Sequence, residues 1–300
     1  MRGALREPAA LPGIASGRPR VCRGPALAAR RPGDSDIPRD ADGCPPATAS
    51  LPVEKRMELN DKVALVTGGA RRVGRAIALE LARAGCDVAV HYHTSQEQAR
   101  ELVSIIQNTG RRAWCFPADL ARLDEIPLLV SAVTQAAGRI DVLVNNAAVF
   151  RPDTPESFES RAALDQTTVN LLAPMALAVA CWPLFQRQTC GKIINVTDAR
   201  IDQPMSGYMS YTSGKAGLAG LTRWLARWMA PVVQVNAVAP GVAVFPEDLD
   251  QETRAQVIGR VPAARPGTPE EIARVVRFLA AEADFVTGQI WRVDGGRSLV

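Results

Sequence analysis

The chain of 300 residues is long enough for one large domain, and 47% of its residues are apolar, so it can bury a substantial core. Its 35 Lys and Arg residues outnumber its 31 Asp and Glu residues, and the whole of that excess lies in residues 1–56. The rest of the chain is balanced in charge and offers no basic field for nucleic acid. No apolar run is long enough to suggest a membrane span.

Residues 1–56 differ from the rest of the chain in composition. They hold nine of the 22 prolines, and proline at this density breaks both helical and strand periods. We therefore expect 1–56 to be a disordered extension, and 57–300 to be the folded domain. Met57 begins the stretch MELNDKVALVTGG, which contains a natural first strand. Residues 1–56 could therefore be a targeting segment or an extension outside the functional protein.

From residue 61 onward, apolar strand runs alternate with segments of helical spacing. Strands are predicted at 62–67, 87–92, 112–117, from 140, and within 191–197, 233–241 and 288–296. Helices are predicted at 73–85, 95–109, 122–137, 160–187, 208–229, 247–258 and 269–282, with Pro174 and Pro183 expected to bend or end the fourth. This alternation predicts an α/β fold: a single-domain, doubly wound parallel sheet, Rossmann-like, with helices on both faces. Its ligand crevice should lie at the carboxyl ends of the strands.

The first strand runs into TGGARRVGRA, with Gly68 and Gly74 at the turn into the first helix. Glycines at such a turn let the backbone pass close to a pyrophosphate at the helix N-terminus. A tight turn without a ligand is the alternative interpretation. The strand before and the helix after the turn favour a dinucleotide site.

Both histidines of the chain stand at the end of the second strand, in the stretch HYHTS. Dinucleotide sites that select NAD usually carry a carboxylate there, and this stretch has none. Hydrogen-bond donors in HYHTS, together with Arg71 and Arg72, suit the 2′-phosphate of NADPH, which is the predicted cofactor. Alternatives are a metal site completed by distant ligands, or an imidazole that simply packs at a strand end. The cysteines lack CxxC spacing, so no metal site is predicted.

Tyr211 and Lys215 lie four residues apart in a predicted helix and should share one face. An ammonium near a phenol stabilises the phenolate, so we expect a lowered tyrosine pKa that suits proton transfer. The Y-x-x-x-K spacing is common by chance. It gains weight from NNAA at 145–148, from Asn170 and from the PG pair at 240–241.

Together these motifs resemble the short-chain dehydrogenase/reductase family over about residues 61–297. The resemblance implies that Tyr211 is the proton donor, that Lys215 holds the nicotinamide ribose, and that Asn170 supports Lys215 through water. It also implies that Asp119 meets the adenine. The plain alternative is that Asp119 caps helix 122–137, and the two roles are compatible. The implied cofactor-binding residues are Gly68, Arg71, Arg72, Val73, Gly74, His91, Tyr92, His93, Ser95, Asp119, Leu120, Asn146, Ala147, Tyr211, Lys215, Pro240 and Gly241.

Two departures from the family pattern narrow the resemblance. Asp198 stands where the family usually has a serine, thirteen residues before Tyr211, and Arg72 replaces the middle glycine of the first turn. With HYH and GYMSYTSGK, they resemble the pteridine reductases. That resemblance implies a pterin substrate bound by Arg72, Phe150, Asp198 and Tyr211, with the pterin between Phe150 and the nicotinamide. Asp198 is also a candidate catalytic residue, because Tyr211, Asp198 or an ordered water could give the proton to the pterin nitrogen. The resemblance further implies NADPH-dependent reduction of a dihydropteridine by a cytoplasmic homotetramer.

Other interpretations stay open. The chain could reduce a carbonyl, such as that of a 3-oxoacyl thioester, with Asp198 merely replacing the serine. It could also bind NADP(H) without turnover, although the intact set of Tyr211, Lys215 and Asn170 argues against this. Asp198 as a surface carboxylate and Phe150 as ordinary loop packing are the plain structural alternatives.

Overall fold

The computed structural model describes residues 57–245 and 250–300. The expected disordered extension of residues 1–56 lies outside them, as does the start of the helix predicted from residue 247. The described strands are β1 (Val63–Val66), β2 (Asp87–Tyr92), β3 (Ala113–Pro117), β4 (Val142–Asn145), β5 (Gly191–Val196), β6 (Val233–Pro240) and β7 (Ile290–Val293).

The described helices match the prediction closely. They are α1 (Arg72–Arg83), α2 (Gln96–Gln107), α3 (Glu125–Ala137), α4 (Ser160–Thr167), α5 (Ala173–Gln188), α6 (Met209–Met229), α7 (Gln251–Gly259) and α8 (Pro269–Ala281). Short 3₁₀ turns add Pro155–Ser157 and Arg297–Leu299. Apolar periodicity therefore predicted where the elements lie. Most predicted helix ends fall within one turn of the observed ends.

The seven strands form one parallel sheet in the order β3-β2-β1-β4-β5-β6-β7. The predicted doubly wound α/β fold is confirmed. Helices α1, α2 and α8 bury their apolar faces on one side of the sheet, and α3, α5 and α6 do so on the other. The strand order reverses between β1 and β4, so the crevice opens at the carboxyl ends of these strands.

The segment 160–188 is helical throughout, so the expectation that its prolines end the helix is wrong, and this helical segment is called the rod below. A π-helical turn, Thr168–Leu172, joins α4 to α5. Pro174 falls in the first turn of α5, directly after this interruption of the regular hydrogen-bond ladder, where a missing N–H costs little. Pro183 stays inside α5, whose packing on the sheet overrides the local preference.

This rod, Ser160–Gln188, is the one helix among the described residues that is long and apolar enough to cross a membrane. No membrane span was expected from the sequence, because prolines and polar residues interrupt the apolar run in this segment. Half of its most apolar window is buried within the protein. Leu177, Cys181 and Phe185 of α5 are core residues, so we interpret the rod as a core element of the fold.

Candidate active site

The turn between β1 and α1 is packed too closely for any residue but glycine at two positions. Gly68 has a positive φ of 59°, and a Cβ there would lie 3.0 Å from the Cα of Ala147. A Cβ on Gly74 would lie 2.3 Å from the carbonyl oxygen of Gly68. The Asn146 side chain donates to the carbonyls of Thr67 and Gly68 at 2.9 and 3.1 Å. The turn is therefore a rigid, preformed frame.

The N-terminus of α1 is open to an anion. Its N-cap residue, Arg71, makes no side-chain capping bond, and no acidic residue lies in the first turn. Arg71 and Arg72 are exposed, while Val73 is half-buried. Free first-turn N–H groups, the helix dipole and two guanidinium groups suit a phosphate. The residues present therefore fit the phosphates of NADPH.

His91 has a structural role inside this end of the crevice. The ring is buried; its Nδ1 accepts from the Gly68 amide at 3.1 Å, and its Nε2 lies 3.1 Å from the carbonyl oxygen of Ala118. Because a carbonyl only accepts, Nε2 carries the hydrogen. Burial lowers the pKa of His91 to about 4, so the ring is neutral near pH 7. The expectation that His91 donates to the cofactor phosphate is corrected, because both nitrogens are engaged within the protein.

The neighbours of His91 divide into buried and accessible positions. Tyr92 and Leu120 are core residues with 8% and 4% exposure, so their side chains support the site from behind. His93 is exposed and Ser95, the N-cap of α2, is half-buried without a side-chain capping bond. His93, Thr94 and Ser95 are thus the HYHTS residues that solvent can reach, and the contact of His93 and Ser95 with a cofactor stays a prediction. In residues 57–245 and 250–300, no group of three or more His, Cys, Asp or Glu could hold a metal ion.

Asp119 does not cap α3. That helix begins at Glu125 after the N-cap Asp124, and the Asp119 carboxylate instead accepts from the Ala121 amide at 3.0 Å. The Asp119 amide donates to the Glu125 carboxylate at 2.7 Å. The capping interpretation is wrong because a separate turn intervenes before the helix. The contact with adenine stays a prediction.

At the other end of the crevice, Tyr211 and Asp198 form a hydrogen-bonded pair. The Tyr211 hydroxyl donates to Oδ2 of Asp198 at 2.9 Å, and Oδ1 accepts from the Arg200 amide at 2.8 Å. Burial and the charge of Asp198 raise the pKa of Tyr211 above its usual range. The expected lowering of this pKa is therefore wrong in the free protein. Asp198 is also no free surface carboxylate.

Lys215 shares a face of α6 with Tyr211, as predicted. Its Nζ donates to the carbonyl oxygen of Val196 at 2.7 Å and lies 5.9 Å from the centroid of the Tyr211 ring. Burial lowers the pKa of Lys215 to about 8. The ammonium thus sits over the ring and points at the end of β5, while the nearest charge to the phenolic oxygen is a carboxylate. This arrangement explains why spacing alone gave the wrong direction for the tyrosine pKa.

Asn170 lies in the π-helical turn and is fully buried. Its Nδ2 donates to the Val149 carbonyl at 2.8 Å, and its Oδ1 accepts from the Val149 amide at 3.2 Å. Asn170 therefore fixes the backbone that carries Phe150. The implied water link from Asn170 to Lys215 stays a prediction.

Phe150 belongs to an aromatic cluster at the mouth of the site. It is 50% exposed, stacks on Tyr208 with ring centroids 4.3 Å apart, and meets Tyr211 edge-on at 4.7 Å. The sequence analysis did not single out Tyr208. Its position three residues before Tyr211, next to the helix start, was the available signal.

Comparison with known proteins identifies the family. The family model described as Enoyl-(Acyl carrier protein) reductase matches residues 68–298. The chain belongs to the short-chain dehydrogenase/reductase family. It is therefore an oxidoreductase by family, and the glycine turn, the Tyr211–Lys215 face and strands β2 to β7 all lie within the matched region.

Full-length relatives support this assignment. The 3-oxoacyl-[acyl-carrier-protein] reductase FabG of Staphylococcus aureus strain Mu50 is 37% identical over 239 residues, which cover 78% of this chain and 97% of that protein. The 3-oxoacyl-[acyl-carrier-protein] reductase of Synechocystis is 37% identical over 246 residues, or 79% and 97% of the two chains. An uncharacterised oxidoreductase of Mycobacterium tuberculosis is 36% identical over 245 residues, or 79% and 92%.

In this member of the short-chain dehydrogenase/reductase family, Asp153 holds the start of α6 through hydrogen bonds. Its carboxylate oxygens both accept from the Ser210 amide at 3.1 Å, and its own amide donates to the Gly207 carbonyl at 2.8 Å. The loop after Phe150 is thus joined to the N-terminus of α6. The sequence analysis missed Asp153 because the two partners are 57 residues apart.

Pro240 and Gly241 join the ends of three strands. The Pro240 carbonyl accepts from the Ala199 amide at 2.9 Å, and the Gly241 amide donates to the Val293 carbonyl at 2.9 Å. A Cβ on Gly241 would lie 2.7 Å from the Cα of Asp294. The PG pair therefore fixes the floor of the crevice beside Asp198, and its direct contact with the cofactor stays a prediction.

Proposed function

We propose that this short-chain dehydrogenase/reductase uses NADPH to reduce a polarised double bond, with Tyr211 as the proton donor. Bound NADPH supplies the hydride. Support for the cofactor comes from the uncapped start of α1, the exposed Arg71 and Arg72, and the accessible His93. Lys215 lies beside Tyr211, where its ammonium can hold the nicotinamide ribose.

The proposal also covers the class of substrate. Two observations favour two different classes. The relatives named 3-oxoacyl-[acyl-carrier-protein] reductase favour a 3-oxoacyl thioester. The hydrogen bond from Tyr211 to Asp198 favours a pterin. We propose a dihydropteridine as the substrate that the geometry supports best, and a 3-oxoacyl thioester as the second candidate, which the relatives support better.

The Tyr211–Asp198 hydrogen bond carries the choice. Reduction of a ketone builds negative charge on the substrate oxygen, and a carboxylate bonded to the proton donor destabilises that charge. Asp198 also raises the pKa of Tyr211, which makes the phenol a poorer acid toward an alkoxide. A pterin changes this balance because its amino group and ring N–H groups donate to a carboxylate. These pterin groups would donate to the Asp198 carboxylate in place of the Tyr211 hydroxyl. The hydroxyl would then be able to face the pterin ring.

The proposed step has a simple balance. Hydride adds to the carbon of the C=N bond, and the Tyr211 hydroxyl gives a proton to the nitrogen. Solvent then restores the proton that Tyr211 has lost. Phe150, half-exposed beside Tyr211, offers one ring face on which a flat heterocycle can stack.

NADPH oxidation measured with dihydrobiopterin, dihydromonapterin and an acetoacetyl thioester tests the proposal. We expect a higher kcat/KM for the dihydropteridines, and a loss of at least about 100-fold in kcat for Tyr211→Phe. Efficient reduction of the thioester alone would establish the second candidate. Tight NADPH binding without turnover of any substrate would favour a non-catalytic NADP(H)-binding protein.

The proposal extends to assembly and location. We propose a cytoplasmic homotetramer that acts on a small molecule, with no nucleic-acid or membrane partner. Support for self-association comes from exposed apolar side chains on α5 and α6, including Val179 at 63% and Trp224 at 59% exposure. Trp224 stacks on Trp228, which extends this surface. Analytical ultracentrifugation of the native chain and of Trp224→Ser tests it.

A further inference from the structure

We propose that a cavity lined by Arg200, Arg260 and Arg297 binds the distal anionic group of the substrate, a carboxylate or a phosphate. This inference deepens the proposed function and rests on it for the identity of the substrate. The cavity has a volume of about 550 Å³. Its remaining lining residues are Gln203, Gly259, Val261, Pro262 and Val300.

The cavity lies at the same edge of the sheet as the proton donor. Arg200 follows β5, Arg260 follows α7 in the connection from β6, and Arg297 follows β7. The strands are parallel neighbours, so their carboxyl ends bring these three connections together. The nucleotide phosphates belong at the start of α1, on the other side of the strand-order reversal. The cavity is therefore on the substrate side of the crevice.

Within residues 57–245 and 250–300, the ion pairs involve Lys192 and other arginines, and Arg200, Arg260 and Arg297 take part in none of them. Three guanidinium groups that share one cavity repel one another. Desolvation and the charges of Arg200 and Arg260 lower the pKa of Arg297. A bound anion would relieve this repulsion and satisfy the guanidinium forks.

The carboxylates of the same connections have other partners. Asp202 pairs with Arg292, and the Asp294 carboxylate accepts from the amides of Gly296 and Ser298. Asp198 accepts from the Tyr211 hydroxyl and the Arg200 backbone amide. Among the described residues, Asp198, Asp202 and Asp294 are therefore bonded to other groups, and none of these three carboxylates forms an ion pair with a cavity arginine.

Short contacts hold the cavity in place next to the reacting groups. Nη1 of Arg297 donates to the Arg260 carbonyl at 3.2 Å, and Gln203 donates to the Ser298 carbonyl at 3.4 Å. The Arg200 amide is bonded to Asp198, so one wall of the cavity begins two residues from the carboxylate that faces Tyr211. A substrate with its double bond at Tyr211 can therefore extend its far end toward the arginines.

The chemistry of the cavity fits either proposed substrate class when the substrate carries a charged tail. Arginine forks bind planar carboxylates and phosphates through paired hydrogen bonds. The glutamate of a dihydrofolate presents carboxylates, and the coenzyme part of an acyl thioester presents phosphates. The inference predicts a preference for the tailed member of either class.

Two matched pairs of substrates test this preference. Dihydrofolate carries a p-aminobenzoylglutamate tail where dihydrobiopterin has a short dihydroxypropyl chain. Acetoacetyl coenzyme A carries phosphates, together with the rest of the coenzyme, that acetoacetyl-N-acetylcysteamine lacks. We expect Arg260→Gln and Arg297→Gln each to raise the KM of the tailed member roughly 10- to 100-fold. The KM of the untailed member and both kcat values should stay unchanged. Arg223 is an exposed arginine on α6, so Arg223→Gln is the matched control. It should change neither the KM nor the kcat of any of these substrates.

A binding measurement separates failure of the subsite from failure of the proposed function. Calorimetry on the full chain would use p-aminobenzoylglutamate as the carboxylate probe and inorganic pyrophosphate as the phosphate probe. We expect the native chain to bind at least one, and the Arg260→Gln/Arg297→Gln variant to lose that binding. The probe that binds identifies the charged group, carboxylate or phosphate, of the substrate tail. Binding of neither probe, or binding unchanged in the double variant, overturns the inference even if the enzyme reduces a pterin or a thioester.

Discussion

His91 and Gly68 are joined by a hydrogen bond of 3.1 Å from the glycine amide to Nδ1 of the imidazole. The opposite nitrogen of the ring faces the Ala118 carbonyl. One neutral side chain thus ties together the first turn, the end of β2 and the segment after β3. Protonation of Nδ1 would remove the acceptor that holds the Gly68 amide.

The first prediction concerns acid stability. The pKa of His91 is about 4 in the folded protein and 6.5 in an unperturbed histidine. Between these values the unfolded chain binds the proton first, so the free energy of unfolding falls as the pH falls from 6.5 toward 4. The loss from this residue is roughly 3 kcal/mol. Denaturant unfolding at several pH values measures it.

His91→Gln should flatten this acid limb of the stability curve, at some cost in stability at neutral pH. His93→Gln is the matched control, because His93 is exposed two residues away. We expect the control to keep the acid limb of the native protein. An acid limb as steep in His91→Gln as in the native chain would contradict the structural role of this ring.

The second prediction concerns the choice of cofactor. His93→Asp places a carboxylate where we propose the 2′-phosphate of NADPH, so the Kd for NADPH should rise by about tenfold or more through charge repulsion. The Kd for NADH should change little. His93→Asn removes the imidazole without adding charge and serves as the control. Equal Kd values for NADPH and NADH in the native protein would refute the predicted preference.

The third prediction concerns the exchange of substrate class. Asp198→Ser removes the carboxylate that raises the pKa of Tyr211, and it places a hydroxyl group at this position. We expect kcat with dihydropteridines to fall by about 100-fold, and kcat with an acetoacetyl thioester to rise. Steady-state kinetics with both substrates measures the exchange. Asp202→Ser, in the same loop, should leave both rates near the native values; parallel losses with both substrates in Asp198→Ser would argue against the proposed role.

The fourth prediction concerns the start of α6. Asp153→Ala removes the acceptor of the Ser210 amide and should lower the free energy of unfolding by about 1 kcal/mol. It should also lower kcat, because the loop that carries Phe150 loses its link to the helix that carries Tyr211. Asp153→Asn keeps an acceptor and should retain most of both properties. Thermal unfolding and steady-state kinetics of the two variants provide the comparison.

Local periodicity was enough to predict the parallel sheet and the helices on both faces, because each strand and each helix carries its own apolar pattern. The glycine turn and the shared face of Tyr211 and Lys215 are also short-range features. Properties that depend on contacts between distant segments were not predicted. Asp153 meets Ser210 across 57 residues, and no spacing rule connects them.

The pKa of Tyr211 also depends on contacts between distant segments, and its direction was predicted wrongly. The four-residue spacing placed an ammonium near Tyr211, and the expected result was a lowered pKa. The structure adds Asp198 and burial, and both act in the opposite direction. The HYHTS stretch was likewise interpreted as a set of donors, yet β2 buries His91 and Tyr92 and leaves His93 exposed. Burial of single side chains depends on tertiary packing that a lone sequence does not reveal.

Arg72 has a positive φ of 50°, which is the left-handed backbone conformation. Glycine adopts this conformation without steric strain, whereas a residue with a Cβ is strained by roughly 1 kcal/mol. Selection for heat tolerance alone should therefore favour Arg72→Gly. The same change removes a guanidinium from the mouth of the crevice. A directed-evolution experiment that scores survival at high temperature would thus enrich glycine here and produce robust but catalytically impaired descendants, whereas selection for turnover would retain the arginine.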